Sequence, residues 1–545
     1  MQNWPCQGSS LLMKGRKEKE MRKFDLYPWQ LNAFDGIRER NAVLSAPTGS
    51  GKTLVAYLWS GIIDQEGNVN HSSREKIIFT APIKALSNER YLDLRRLGFD
   101  VGIETGDFKR NTGARILCCT QEIYTLKYSK RPDQKLVIDE FHYIFTDPHR
   151  ARAYIDGIRD THPSTRILVM SATFGGTHSV GTYLSRVTGL DFTVFENHER
   201  VTQLVFHTKR GIRLERIHDA LIFVFSQKGA SLLAFRLARK RKRIKAQQRH
   251  RLYEIAGILG VENIPMPLLR GVGIYHGGML PKEKLLVEAA FRERILDVVA
   301  GTNALALGVN LPAEYAIFAQ LVMYHDEKPI SKNEFSQMAG RAGRKGLFET
   351  GYVTWLIDSP CEQRRFNTGW EFRKLVKEKP ESAYVNLRPA YGKLLRREVS
   401  IEEEAHYISS YSMPMLNPHI VQDEIRYDLK KIDIAVRHLV STQERSRFRS
   451  ILADIWYEEM DVDENLEMAH LFYLQPNPHA LIAAEILSPY ERNFLQALLK
   501  VKRYSNRLPE GYYFSGMKEL DSAIDEIDST VFGFEEKIGE IEESA

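Results

Sequence analysis

The stretch Ala46-Pro47-Thr48-Gly49-Ser50-Gly51-Lys52-Thr53 constrains this chain more than any other. It follows Ala42-Val43-Leu44-Ser45, an apolar run that predicts a buried strand, and it precedes Leu54 to Trp59, which predicts a helix. A strand, a glycine-containing loop and a helix in that order form an anion site. The loop N–H groups and the positive end of the helix dipole converge on the same point. Gly49 and Gly51 let the backbone approach phosphate oxygens, with Pro47, Thr48 and Ser50 completing the loop. Lys52 can reach the β- and γ-phosphates of a nucleotide, and the Thr53 hydroxyl can ligate Mg²⁺.

At 545 residues the chain has room for three or four domains of about 150 residues. Hydrophobic residues make up 43% and charged residues 27%, a balance that can bury a core. The net charge of +6 is too small to argue for nucleic acid by itself. The cysteines are Cys6, Cys118, Cys119 and Cys361. Neighbours on a strand face opposite ways, so Cys118 and Cys119 cannot chelate together. The spacings suggest neither zinc nor a disulfide framework, which fits a reducing, cytoplasmic setting. No apolar run is long enough to span a bilayer, so no membrane partner is expected. Residues 1–23 carry Lys14, Arg16, Lys17, Lys19, Arg22 and Lys23 without an apolar segment behind them. They read as a flexible basic arm rather than a secretory signal.

Other elbows follow the first. Gln30, shortly before the phosphate loop, offers a donor beside an acceptor and matches an adenine edge; the plainer reading is that it opens a helix. Lys76 to Thr80 predicts a strand that turns at Ala81-Pro82-Ile83-Lys84-Ala85-Leu86-Ser87-Asn88. A short strand from Val101 closes in Thr105-Gly106-Asp107, and another, Arg115 to Cys119, ends in Thr120-Gln121-Glu122. Lys135 to Ile138 runs into Asp139-Glu140-Phe141-His142. Two adjacent carboxylates at the end of an apolar strand suit a Mg²⁺ holder, Asp139, and a general base, Glu140. Ile167 to Met170 ends in Ser171-Ala172-Thr173. In a parallel α/β sheet all these strand ends share one face, where ligands bind.

In that order the motifs APTGSGKT, APIKALSN, TGD, TQE, DEFH and SAT resemble those of the superfamily two helicases of the DExH-box type, most closely the Ski-type branch. Ala46, standing where the general phosphate loop has its first glycine, matches the helicase variant. A second α/β pattern begins near Thr202. Within it HGGM (276–279), GTNALALGVNLP (301–312) and QMAGRAGR (337–344) resemble the second-lobe motifs in the same order. Arg341 and Arg344, three apart, would lie on one helix face and act as arginine fingers, with Gln337 placing the water.

The resemblance covers roughly 24–358 and implies two tandem RecA-like α/β domains, each a parallel sheet flanked by helices, at 24–198 and 199–370, with ATP and Mg²⁺ between them. It implies Gly308 and Asn310 approaching the nucleotide from the second lobe. It also implies Pro82, Lys84, Gly106, Thr120, Ser226, Thr302 and Asn303 contacting a nucleic-acid strand, with 3′ to 5′ movement. Relatives carry a strand-separating hairpin after the Pro312 region; here Tyr324 to Pro329 leaves room for a short one. Arg236 to Arg251 is the densest basic run, and it reads either as a phosphate grip or as a solvated face. Residues 371–545 lose the strand–helix alternation and predict a mainly helical C-terminal domain, with an amphipathic helix after Asn417-Pro418, a second after Ser488 and an acidic end. A reduced bundle closing the nucleic-acid channel is the expectation, and a docking platform for a protein partner the alternative. The chain as a whole reads as an ATP-driven helicase on single-stranded or tailed RNA. DNA is the second substrate, and a nucleic-acid clamp without unwinding the rival function.

Overall fold

The computed structural model describes residues 23–474 except 106–108, 147, 173, 280, 307–310, 312, 324–327, 344–346, 358, 363–365 and 457–461. Residues 1–22 of the basic arm, the helix expected after Ser488 and the acidic end lie outside the described residues, as do Gly106, Thr173, Gly308, Asn310, Arg344 and the tip of the short hairpin.

The first lobe runs through α1 (Pro28–Ile37), β1 (Asn41–Ser45), α2 (Lys52–Ser60), β2 (Lys76–Ala81), α3 (Lys84–Arg96), β3 (Val101–Glu104), β4 (Lys109–Arg110), β5 (Ile116–Thr120), α4 (Gln121–Lys127), β6 (Gln134–Ile138), α5 (Tyr143–Thr146), α6 (Pro148–Arg159), β7 (Arg166–Ser171), α7 (Thr177–Thr188) and β8 (Phe192–Glu196). Its eight strands lie in the order β4-β3-β5-β2-β6-β7-β1-β8. All pairs are parallel except β3 with β4. The central strands read as continuous apolar runs because helices cover both faces of the sheet. Cys118 and Cys119 show the alternation directly: they fall in two different cores, one on each face. Since β1, β2, β5, β6 and β7 run the same way, the loops that follow them gather along one edge.

The second lobe comprises β9 (Gln203–Phe206), β10 (Ala220–Phe223), α8 (Gln227–Arg239), α9 (Ala246–Ile258), β11 (Val272–Tyr275), α10 (Pro281–Arg292), β12 (Val298–Gly301), β13 (Tyr315–Phe318), α11 (Lys332–Ala339), β14 (Thr350–Trp355) and α12 (Thr368–Lys377). Its six-stranded sheet has the order β11-β12-β10-β13-β14-β9 and is parallel throughout. The boundary expected at 370 falls inside α12. That helix belongs to the second lobe, since Phe372 and Leu375 are buried in its core and the Phe372 ring packs on Phe335 and Trp355.

Beyond α12 a strap crosses back to the first lobe. Gly175 N donates to Glu381 O at 2.9 Å and Ala383 N to Gly175 O at 2.8 Å, directly after the Ser171-Ala172-Thr173 elbow. Among the described residues five helices follow: α13 (Tyr391–Leu395), α14 (Ile401–Tyr411), α15 (Pro418–Leu439), α16 (Arg445–Ile455) and α17 (Val462–Leu474). Val421, Ile425, Ile432 and Val436 form the buried stripe of α15, as their three- and four-residue spacing predicts. The helical domain shares one continuous core with α6 and α7 of the first lobe. Its described part therefore docks on a flank of that lobe. Among the described residues no helix is long and apolar enough to cross a membrane.

Candidate functional site

The loop between β1 and α2 adopts the conformation its glycines permit. Gly49 and Gly51 have φ of 79° and 89°, in the left-handed region. A Cβ on Gly51 would lie 2.6 Å from Gln30 Nε2, so neither the backbone nor the space admits a side chain there. Lys52 is buried, and its Nζ donates to Ala46 O at 3.0 Å, folding the ammonium back over the loop. Ser50 Oγ is buried without a hydrogen-bond partner. An orphaned hydroxyl beside a buried ammonium in a glycine cradle suits a polyphosphate.

Gln30 sits against the phosphate loop. It is fully buried; its Nε2 donates to Gly51 O at 3.0 Å and its Oε1 accepts from Tyr27 N at 2.8 Å. One N–H and one lone pair of the amide are engaged by main chain. The side chain braces the phosphate loop because α1 packs directly on α2.

Asp139 and Glu140 end β6, two strands away from β1 across β7. Glu140 sits at φ 50° and its N–H donates to Asp139 Oδ1 at 2.9 Å. Burial, reinforced by the adjacent Glu140 charge, raises the Asp139 pKa. For Glu140 burial pushes upward, but Lys52, His142 and Arg341 outweigh it and hold the carboxyl below its ordinary value. The two carboxyls are thus pushed in opposite directions, Asp139 upward and Glu140 downward. Glu140 Oε2 and His142 Nδ1 are both buried without a hydrogen-bond partner, 3.4 Å apart. On its other side His142 Nε2 lies 3.3 Å from Gln337 Nε2 of α11. A chain of polar groups therefore crosses from one lobe to the other.

The capping box of Ser331 with Glu334 fixes the start of α11: Glu334 N donates to Ser331 Oγ at 3.1 Å and Ser331 N to Glu334 Oε2 at 2.9 Å. The helix ends at Ala339, capped by Gly340. The expectation that it carries Arg341 on its face is corrected. Arg341 lies past the helix, where its guanidinium donates to Ala306 O, and Ala342 bridges to Ala313. Two glycines flanking Arg341-Ala342 break the helical run. A Cβ on Gly340 would stand 3.0 Å from Thr48 Cβ, so the second lobe touches the phosphate loop at a point where only glycine fits closely.

Three residues went unassigned in the sequence. His142 carried a signal, since it shares the strand end with the two carboxylates. Arg90, two turns into α3, carried none. Its Nη2 donates to Thr53 Oγ1 at 3.2 Å and to Asp139 Oδ2 at 3.1 Å, while Nη1 donates to the Tyr57 hydroxyl at 3.1 Å. The guanidinium also lies over the Tyr57 and Phe79 rings. Arg200, in the link between the lobes, donates to Gly340 O and Ala342 O, both at 3.2 Å. Burial lowers its pKa to about 10, and it remains charged.

The candidate strand-contacting residues take up strand ends. Pro82 follows β2, and its carbonyl accepts from Arg150; Lys84 opens α3 and is exposed. Thr120 ends β5 ahead of α4. In the second lobe Ser226 Oγ caps α8 by accepting from Gly229 N at 3.0 Å, and Thr302 caps the short turn that Asn303 begins after β12. Thr53 and Asp139, the candidate metal ligands, are a hydroxyl and a carboxylate, hard oxygen donors of the kind Mg²⁺ takes.

Residues 27–179 match the DEAD/DEAH box helicase family and residues 260–346 the helicase conserved C-terminal domain. The chain is 26% identical over 421 residues to the probable helicase HelY of Mycobacterium tuberculosis, covering 61% of this chain and 46% of the relative. It is 26% identical over 428 residues to the ATP-dependent RNA helicase mtr4 of Schizosaccharomyces pombe, covering 62% and 37%. With the human exosome RNA helicase MTR4 the figures are 25% over 435 residues, 65% and 41%. The chain thus spans less than half the length of these relatives. Its fold is similar to that of the DUF1998 helicase MrfA bound to DNA and AMPPNP, with a TM-score of 0.50 at 18% identity over 67% of this chain and 52% of that one.

Proposed function

We propose that this chain, a superfamily two helicase of the DExH type with two RecA-like lobes, hydrolyses ATP and uses the cycle to move along single-stranded or tailed RNA, 3′ to 5′, and remodel it. The observation that carries the reading is the polar chain across the cleft, Glu140–His142 in the first lobe and Gln337 in the second. Hydrolysis that depends on both lobes is hydrolysis that can report on, and drive, their separation.

The residues divide the work. The Ala46–Gly51 loop and Lys52 hold the phosphates, while Thr53 and Asp139 would hold Mg²⁺, which supplies charge neutralisation on the phosphate oxygens. Ionised Glu140 takes the proton of the attacking water. Gln337 and His142 fix the direction from which that water approaches. Arg341 brings its guanidinium to the γ-phosphate when nucleotide draws it from the Ala306 carbonyl, and Arg344 is the second finger by motif. Gly308 and Asn310 complete the nucleotide site by motif, and Pro82, Lys84, Gly106, Thr120, Ser226, Thr302 and Asn303 are the proposed strand contacts. Buried free thiols at Cys118 and Cys119 fit a reducing, cytoplasmic setting.

A second reading draws on one feature. Val322 and Pro329 pair antiparallel, with Met323 N donating to Lys328 O at 3.1 Å. So short a hairpin suits an ATP-gated clamp better than a processive strand separator.

Steady-state phosphate release without nucleic acid, with single-stranded RNA and with single-stranded DNA tests the proposal, beside strand displacement on 3′-tailed duplexes. Stimulation by RNA with displacement supports it. Stimulation by DNA alone moves the substrate to DNA, and ATP-dependent binding without displaced product favours the clamp.

A further inference from the structure

Arg90 stands between the two groups that would hold Mg²⁺, and nothing in its motif explains why. One nitrogen reaches both of them: Nη2 is 3.2 Å from Thr53 Oγ1 and 3.1 Å from Asp139 Oδ2. The other nitrogen is fixed 3.1 Å from the Tyr57 hydroxyl, and the guanidinium lies against the Tyr57 and Phe79 rings. The head group is therefore held from behind by α2 and β2, and it presents a single donor edge forward. The side chain is 16% exposed. A planar, always-charged fork locked this way is a rigid strut, unlike a flexible surface charge.

Its two forward contacts leave the ligands usable. A hydroxyl oxygen has two lone pairs, so Thr53 Oγ1 can accept from Arg90 with one and still coordinate with the other. Asp139 accepts from Glu140 N on Oδ1 and from Arg90 on Oδ2, which pins the carboxylate plane while further lone pairs stay available. Partners one step behind metal ligands orient them, and losing one typically costs about 10- to 100-fold in metal affinity.

We propose that Arg90 is the positioning residue of the metal site, holding Thr53 and Asp139 in their ligating arrangement before Mg²⁺ and nucleotide arrive. The proposal rests on the nucleotide-site reading above. α3 keeps its own anchors without Arg90: Tyr91 and Leu94 are buried, and Ser87 Oγ donates to Cys119 O at 3.1 Å. Arg90→Gln should therefore fold.

The test is binding of a fluorescent ADP to the full chain, in EDTA and across a Mg²⁺ titration. In Arg90→Gln the Mg²⁺ concentration for half-maximal enhancement of nucleotide binding should rise about tenfold. Affinity in EDTA should stay within about twofold of the unsubstituted chain, because Arg90 touches no phosphate-loop residue before Thr53. Arg90→Lys, which restores the charge without the fork, should fall between the two. Tyr57→Phe, which releases one end of the guanidinium and keeps the ring, should shift the half-point in the same direction by less, and it decides the matter if Arg90→Gln melts early. A half-point within twofold of the unsubstituted chain in both Arg90→Gln and Tyr57→Phe overturns the proposal. So does an equal loss of affinity with and without Mg²⁺, which would mark Arg90 as a general prop of the site. Failure of the unsubstituted chain to bind nucleotide under either condition overturns the nucleotide-site reading itself, and the proposal with it.

Discussion

Glu140 adopts φ 50°, a conformation that costs a non-glycine residue on the order of 1–3 kcal/mol. The surroundings impose it: the Glu140 N–H is held by Asp139, and Phe141 N donates to Met170 O at 2.9 Å. The strain aims the carboxylate at Lys52 and Arg341, whose charges hold its pKa down. Glu140→Gln keeps the shape and removes the base. Nucleotide binding should persist while phosphate release falls at least about 100-fold; lost binding in a fluorescent-nucleotide titration would make Glu140 structural. His142 sets a pH dependence. Burial lowers its pKa from 6.5, so in acid the unfolded chain binds a proton that the folded chain refuses. Its contribution to stability is whole above about pH 6.5 and is lost as pH falls below that. Melting curves at about pH 7.5 and 5.5 should show a larger drop for the unsubstituted chain than for His142→Gln. Equal drops would mean that His142 titrates normally.

At the scale of elements, glycine spacing decided where α11 ends. Its apolar face, Phe335, Met338 and Ala339, continues into Ala342, so periodicity alone carried the helix too far. Gly340 and Gly343 end it, and the released Arg341 can turn into the cleft. The connection from α8 to α9 shows the reverse case, in which charge density misleads. Lys240 pairs with Glu215, Arg241 with Asp297, and Arg251 with Glu293 and Glu254. Part of that basic run is structural. Lys242, Arg243, Lys245 and Arg249 remain exposed, and Tyr253 on α9 is also exposed. Reversing those four charges should flatten the salt dependence of single-stranded RNA binding by about 0.7 in log–log slope for each phosphate no longer neutralised. Anisotropy titrations over a range of KCl measure it, and an unchanged slope leaves the run as a solvated face.

Over the whole molecule, the helical domain is locked to the first lobe by a buried ionic clasp. Glu404, 1% exposed, accepts from both terminal nitrogens of Arg152 and from Ala390 N at 2.8 Å. The Tyr407 hydroxyl donates to Asp156, and the Tyr407 ring lies under Arg152 and Arg159. Glu404→Ala strands the Arg152 charge and should cost about 3–5 kcal/mol in urea unfolding. Limited proteolysis should then release the helical domain first; a cost of less than about 1 kcal/mol would mean that the shared apolar core alone carries the docking. The same scale separates what could be read in the chain from what could not. Residue order alone determined the phosphate loop, the Asp139–Glu140 pair, the two parallel-sheet lobes and the buried stripe of α15. Each is a local pattern, written by periodicity, glycine placement and the alternation of a strand across its faces. Only the tertiary structure decided which groups meet. Arg90 lies 37 residues from Thr53 and 49 from Asp139, His142 lies 195 from Gln337, and Arg152 lies 252 from Glu404. The brace made by Gln30 and the link through Arg200 belong with these. A side chain's partner across such separations is set by how sheets and lobes pack, and no local pattern encodes that distance.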